Sequence, residues 1–191
     1  MTTLASFYNN CGICLNVQGC FREADQYFSA AQIYGTISEK TGTAGDAVVY
    51  ATSLLNTGEN AFKAGLYDRS GEKFEEGLDI FSGSVAELGD CETAQYYAWA
   101  SYYALIHNRD YQTAVDYGIW AIQLQPDNVL ANINLGYACL YAGYYDDCDL
   151  LLTWAANLGE GQADAIRLDL EAQERAGLYS NHAADLLEKL P

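Results

Sequence analysis

The fold class is decided by one stretch, Asn132-Ile-Asn-Leu-Gly-Tyr-Ala-Cys-Leu-Tyr-Ala-Gly-Tyr-Tyr-Asp-Asp-Cys-Asp-Leu-Leu-Leu-Thr-Trp-Ala-Ala156. Gly136 is followed seven residues later by Gly143, and small residues return at Cys148 and Ala155. Gly143 can adopt the positive φ of a tight turn. Gly136 and Cys148 suit positions where two helices cross closely and only small side chains fit. The stretch therefore predicts a helix, a turn and a second helix of similar length.

The same spacing recurs along the chain. Ala114 and Ala121 lie 34 residues before Cys148 and Ala155, so they take the same places in a preceding copy. Such self-similarity is typical of a repeat architecture. Further copies carry small and aromatic residues at matching offsets: Gly12, Gly19, Ala24, Phe28 and Ala31; Gly58, Gly65, Ser70, Phe74 and Gly77; and, more weakly, Leu170, Gly177 and Leu186.

The repeats predict an all-α fold of about five helical hairpins. Pro126 ends one helix, and Asp127 can cap the next. First helices are expected at about 3–17, 44–64, 91–107, 128–141 and 161–176, and second helices at about 21–40, 68–88, 111–124, 145–157 and 180–189. No strand is expected, because the 3.6-residue period is continuous and an alternating period is absent.

These residues resemble the tetratricopeptide repeat (TPR) family. The resemblance implies a right-handed α-α superhelix, a solenoid that forms a single domain over 1–191. Its units would cover approximately 5–38, 51–84, 95–128, 129–162 and 163–191. The longer spacing of the first two units is similar to TPR variants with longer helices, and the segment 154–161 is locally similar to the Sel1-like repeat.

The resemblance also implies where a ligand would bind, since the first helix of each TPR unit lines a concave groove. Tyrosine and tryptophan are favoured in binding surfaces, and asparagine can hydrogen-bond a peptide backbone. The alternative is that several of the aromatic side chains pack between helices. The groove residues carried over from the family pattern and favoured here are Asn9, Asn16, Tyr96, Trp99, Tyr103, Tyr137 and Tyr141.

A second candidate surface is predicted on the convex side. Trp120 and Trp154 are 34 residues apart, so they occupy the same position in adjacent units. Together with Leu150 they could form an exposed apolar patch, which often marks an interface. The alternative is partial burial under the neighbouring unit. An exposed patch would favour self-association or docking of another domain.

Composition restricts the partners. The formal net charge of −17 argues against binding a nucleic acid phosphate backbone or an anionic membrane, and it favours a basic partner or simple solubility. Six cysteines and two distant histidines give no zinc pattern, so free thiols and no metal or cofactor are expected. No secretory leader or membrane-spanning run is recognisable, and the cytoplasm is the expected compartment.

The sequence contains no G-x-S-x-G, Gly-rich phosphate loop or H-E-x-x-H motif, so an enzyme is not expected. The main functional prediction is a protein-interaction scaffold that holds a peptide or protein segment in an aromatic-rich groove. Two alternatives stay open. One is a regulatory or sensor module of a larger protein, and the other is a structural homo-oligomer built through the tryptophan face.

Overall fold

Helix-forming segments and turn residues alternate along the chain, and the structure follows them closely. The structure, a computed structural model, describes residues 2–39, 43–159 and 161–191. Over these residues the protein is helical and contains no strand. The predicted end of the second helix at residue 40, and residue 160 of the Sel1-like segment, lie outside the described ranges. The all-α prediction is confirmed.

The hairpins fall into two compact units, Met1–Gly89 and Asp90–Pro191. Over its described residues the first unit consists of α1 (Thr2–Asn16), α2 (Phe21–Glu39), α3 (Ala44–Lys63) and α4 (Tyr67–Ser84). Helix α1 packs against α2, α2 against α3, and α3 against α4. A short 3₁₀ turn, Val85–Glu87, follows α4. The single domain over 1–191 stays a prediction.

Over its described residues the second unit consists of α5 (Asp90–Tyr103), α6 (Tyr111–Leu124), α7 (Val129–Ala142), α8 (Tyr145–Ala156), α9 (Gln162–Arg175) and α10 (His182–Lys189). Helices α5 and α6 pack as one hairpin, and α7 and α8 as another. Within this unit α7 packs against α5, α6 and α8, and α8 also contacts α9 and α10. Helix α5 continues into a π-helical turn, Ala104–Asn108.

The glycine pattern is confirmed in the backbone geometry. The four predicted turn glycines, Gly19, Gly65, Gly143 and Gly177, all have φ between 74° and 88°. Within the hairpins, a Cβ added to Gly136 would lie 2.7 Å from Leu152 Cγ, which is closer than van der Waals contact allows. Small residues therefore let the two helices of a hairpin approach each other, as the repeat predicts.

One predicted cap is wrong by a residue. Helix α6 ends at Leu124, before Pro126, as expected. The side chain that caps α7 belongs to Asn128, whose Oδ1 accepts a hydrogen bond from the Ala131 amide at 3.0 Å. Asp127 is exposed and lies one residue too early to accept from the first turn.

Candidate functional site

Asn9 and Asn16, two predicted groove residues, are buried in the first unit. Asn56 on α3 donates its Nδ2 to Asn9 Oδ1 at 3.0 Å. Asn16 Nδ2 donates to Asn60 Oδ1 at 2.9 Å. The exposed fractions of Asn9 and Asn16 are 8% and 3%. Their amides therefore connect α1 to α3 and leave little surface for a peptide.

Lys63 completes this polar connection between α1 and α3. Its side chain is only 2% exposed, and its ammonium donates to Asn16 Oδ1 at 2.9 Å. Glu59, one turn earlier on α3, lies 2.6 Å from the same ammonium. A buried charge needs such partners, because an unpaired ammonium is strongly disfavoured away from water. The polar residues here hold the first unit together.

Trp99 and Tyr137, also predicted to line the groove, are buried at 3% and 0% exposure. The Tyr137 hydroxyl donates to Asp169 Oδ2 on α9 at 2.9 Å. The packing alternative therefore describes these two aromatic residues and the two asparagines better than the groove assignment. Burial by neighbouring helices, which sequence spacing does not reveal, is the physical reason.

Tyr96, Tyr103 and Tyr141 are half-buried and keep part of their surface accessible. The Tyr103 ring packs against His107, with centroids 5.2 Å apart. The Tyr141 hydroxyl donates to Gln173 Oε1 at 3.0 Å. Burial raises the pKa of Tyr141 and, with the neighbouring Tyr117 and Tyr97, also that of Tyr96, so both phenols stay neutral. Of the aromatic residues predicted to line the groove, only these three tyrosines keep accessible surface.

A different surface of the second unit is open and apolar. It is a groove with α6 on one side, α8 on the other and α7 between them, and its volume is about 430 Å³. We call it the α6–α8 groove. Its lining residues are Gln112, Val115, Ile119, Ile122, Leu135, Cys139, Tyr144, Asp147, Leu150 and Leu151.

Helical spacing explains how the sequence builds this groove. Val115, Ile119 and Ile122 recur at intervals of four and three residues, so they share one face of α6. On α8, the run Leu150-Leu151-Leu152 spreads three leucines around the helix. Leu152 is fully buried, whereas Leu150 is 70% exposed and lines the groove. When a partner covers an apolar side chain with this exposure, the free energy falls because apolar surface is removed from water.

Polar groups close one end of the groove. The Tyr144 hydroxyl donates to Gln112 Oε1 at 3.2 Å, and Gln112 Nε2 donates to Asp116 Oδ1 at 3.0 Å. Cys139 is buried among the lining residues, and burial, followed by the charge of Asp147, raises the pKa of its thiol to about 12. The thiol is therefore protonated at neutral pH and is not a nucleophile.

The predicted convex patch is only partly brought together. Leu150 and Trp154 line one shallow depression on α8, next to the α6–α8 groove. Trp120 instead packs in an edge-on arrangement against Tyr97 and Tyr117, with ring centroids 5.4 Å and 5.5 Å away. All three predicted residues are exposed by at least 37%. The tryptophans thus belong to two different aromatic and apolar clusters.

The helices around the groove carry charge of one sign. No Lys, Arg or His occurs between Arg109 and Arg167, while eight Asp or Glu residues do. Asp147 lines the groove, and Asp116 and Asp146 are exposed on the same two helices. The groove is therefore an apolar surface in an acidic environment.

The sequence prediction missed most of the groove lining, including Ile119, Ile122, Leu135 and Leu151. The available signal was the three-leucine run, since a helix packed on one side buries only part of such a run. The spacing of Val115, Ile119 and Ile122 gave the matching face on α6.

Within the described residues, no group of three His, Cys, Asp or Glu side chains is placed to hold a metal ion. Across the same part of the chain, no helix is both long enough and apolar enough to cross a membrane. All six cysteines are free thiols. No protein-family model and no curated protein matches this sequence.

Proposed function

We propose that this protein is a TPR-like helical scaffold that binds a segment of another protein, and that it is not an enzyme. The observation that carries the proposal is the open apolar α6–α8 groove, with Leu150 70% exposed at its edge. Exposed apolar surface of this kind marks interaction sites in proteins that are otherwise well packed. The cytoplasm is the compartment proposed for it.

The repeated hairpins support the scaffold interpretation. Paired glycine and large apolar residues recur at the same offsets, and turn glycines with positive φ join the helices. Stacked hairpins of this kind present extended surfaces for partner chains. A right-handed superhelix of TPR type is the arrangement we propose for the hairpins.

The described residues offer little for catalysis. The thiols of Cys139 and Cys148 both have a pKa raised to about 12, chiefly by burial, so neither is activated as a nucleophile. A regulatory module of a larger protein would use the same groove. It would differ from an independent scaffold in the length of its gene.

Affinity capture from native lysate tests the proposal. We expect Leu150→Ser to lose the partner that the wild-type protein retains, because Leu150 would be covered in the complex. Ile33→Ser is the matched control: Ile33 is 63% exposed on α2, and its replacement should leave capture unchanged. Circular dichroism should show equal helicity for all three proteins.

A third variant separates the two candidate surfaces. Tyr96→Ala combined with Tyr103→Ala removes accessible aromatic surface from α5. If this variant loses the partner and Leu150→Ser keeps it, the binding surface is the predicted aromatic-rich groove and not the α6–α8 groove. Absence of any specific partner for the wild-type protein would count against a scaffold.

A further inference from the structure

The walls of the α6–α8 groove determine what kind of backbone can enter it. Apart from Tyr144 in the turn between α7 and α8, they are the side chains of three α-helices, whose backbone N–H and C=O groups are largely bonded within the helices. An extended guest would find no open sheet edge to pair with, and its unpaired backbone groups would lie against apolar side chains at a large cost. A helical guest satisfies its own backbone groups and presents only side chains.

The length of the groove sets the length of its guest. On α6 the lining runs from Gln112 to Ile122, which corresponds to about 15 Å along a helix axis. About three turns of a guest helix match this length. Apolar anchors on such a helix would recur every three or four residues, as they do on α6 itself.

The charge around the groove selects the polar face of the guest. Asp147 lies in the groove wall, and Asp116 and Asp146 are exposed on its two flanking helices. The 57 residues 110–166 contain no positively charged side chain that would offset them. A guest with Lys and Arg beside its apolar anchors is attracted to this surface, whereas an acidic guest is repelled.

The same charges argue against two other occupants. An anionic membrane surface would be repelled by the groove-bearing helices. A second copy of this chain would bring a net charge of −17 against an acidic surface. Both occupants are therefore less favourable than a basic segment of another protein.

We propose that the α6–α8 groove binds a basic amphipathic helix of a partner protein, about three turns long, with apolar anchors that cover Leu150. This inference rests on the proposed scaffold function and adds the chemistry of the partner. The guest contributes apolar side chains to the groove and positive charge to its acidic rim.

Synthetic peptides of about 18 residues, long enough to form a helix on binding, test the inference directly. The first carries an apolar face at helical spacing and a polar face of Lys and Arg. The second has the same apolar face with Glu in place of Lys and Arg. The third is basic but contains a central proline, and the fourth is basic with its apolar residues scrambled. Titration calorimetry measures each Kd against the full-length protein.

We expect the basic helical peptide to bind roughly tenfold or more tightly than each of the other three. Leu150→Ser should weaken binding of this peptide by about tenfold, because an apolar anchor of the peptide would no longer contact the Leu150 side chain. Asp147→Asn should weaken it by a smaller factor, and the factor should shrink between about 50 mM and about 200 mM salt. Ile33→Ser should have no effect.

Three outcomes would overturn the inference. Equal binding of the acidic and basic peptides would show that charge plays no part. Tighter binding of the proline peptide would indicate an extended guest. Equal binding by the wild-type protein and Leu150→Ser would place the peptide outside the groove.

The peptide results and the lysate capture are separable. If Leu150→Ser loses a native partner while no basic helical peptide binds, the scaffold function stands and the chemistry of the guest is different. If the wild-type protein captures no partner but binds the basic helical peptide as described, the chemistry of the guest stands and the scaffold function is contradicted. If both experiments fail, both proposals fall.

Discussion

At the scale of single residues, three glycines set the spacing of three hairpins. Each lies 16 residues before a large buried side chain that fills the space it leaves: Phe28 after Gly12, Phe74 after Gly58 and Leu152 after Gly136. A Cβ added to any of them would meet that partner at 2.8 Å or less. Because these contacts are within the hairpin, one methyl group is enough to separate its helices.

We predict that Gly58→Ala destabilises the protein by about 1–3 kcal/mol. The new Cβ would lie 2.8 Å from Phe74 Cδ2 and 3.2 Å from the Ser70 carbonyl oxygen, so a side-chain rotation alone does not relieve the contact. The higher helix propensity of alanine recovers only about 1 kcal/mol. Urea unfolding monitored by circular dichroism measures the difference.

Gly83→Ala is the matched control for this prediction. Gly83 also lies in a helix, α4, but a Cβ there meets nothing within 4 Å. This substitution should stabilise the protein by up to about 1 kcal/mol through helix propensity alone. If Gly58→Ala behaved like Gly83→Ala, close packing at Gly58 would not be the reason for its glycine.

At the scale of secondary-structure elements, α10 is attached to α8 through one carboxylate. Asp149 Oδ1 lies 2.7 Å from His182 Nε2, and Asp149 Oδ2 accepts a hydrogen bond from the Lys189 ammonium. The His182 ring also stacks on Tyr145, with centroids 4.5 Å apart. Both ends of α10 are therefore held by Asp149.

We predict that Asp149→Asn loosens α10 at neutral pH. Burial raises the pKa of Asp149, but hydrogen bonds from Lys189 and His182, together with their charges, lower it below its ordinary value. A lowered folded-state pKa stabilises the protein above the unfolded-state pKa of about 3.9, and this contribution disappears as pH falls through the folded-state value. Amide hydrogen exchange of residues 182–189 should accelerate in the variant at pH 7.

The pH dependence provides the control for this prediction. Once the pH is below the lowered folded-state pKa of Asp149, the wild-type carboxyl is protonated, so wild type and Asp149→Asn should exchange alike after correction for intrinsic rates. Asp127→Asn, at an exposed loop position, should match the wild type at both pH values. A difference that persists in acid would mean that the asparagine acts through its shape.

Helix positions could be predicted from the sequence because turn glycines and small crossing residues are local signals. In the first hairpin, for instance, both helices begin and end within a few residues of their expected bounds, with α1 at Thr2–Asn16 and α2 at Phe21–Glu39. The π-helical turn Ala104–Asn108 was not predictable, since no proline or glycine marks it. The next residue, Arg109, has φ 56° and donates to the carbonyl of Ala176, which directly follows α9.

The candidate site was less predictable because burial depends on partners far away in sequence. By its sequence position Asn9 resembles a groove residue, but its amide oxygen accepts a hydrogen bond from Asn56, 47 residues later. Tyr137 is similarly occupied by Asp169. Leu150, which the sequence suggested only as part of a possible exposed patch, is 70% exposed, whereas Leu152 two residues later is fully buried.

At the scale of the whole molecule, strong negative charge coexists with an exposed apolar groove. The net charge of −17 disfavours contact between two copies at low salt. Covering the groove would lower the free energy, because its apolar surface would be removed from water. We therefore expect electrostatic repulsion to keep this protein monomeric in the absence of the proposed basic partner.

We predict that light scattering at pH 7 and low salt gives the monomer mass of 20.9 kDa. In about 1 M salt the repulsion is screened over distances of about 3 Å, and the average mass should rise. Leu150→Ser should reduce that rise, whereas Ile33→Ser should not. A dimer already present at low salt, and lost in Leu150→Ser, would favour the homo-oligomer alternative.

The lack of positive side chains between Arg109 and Arg167 also limits how the groove can be probed with proteases. Trypsin cuts only after Lys or Arg, so even complete digestion of the unfolded chain releases residues 110–167 as one fragment. That fragment carries α6, α7 and α8 together. Footprinting of a bound guest therefore needs an enzyme such as chymotrypsin, which cuts after tyrosine and leucine, the residue types of Tyr144, Leu135 and Leu150 in the groove lining.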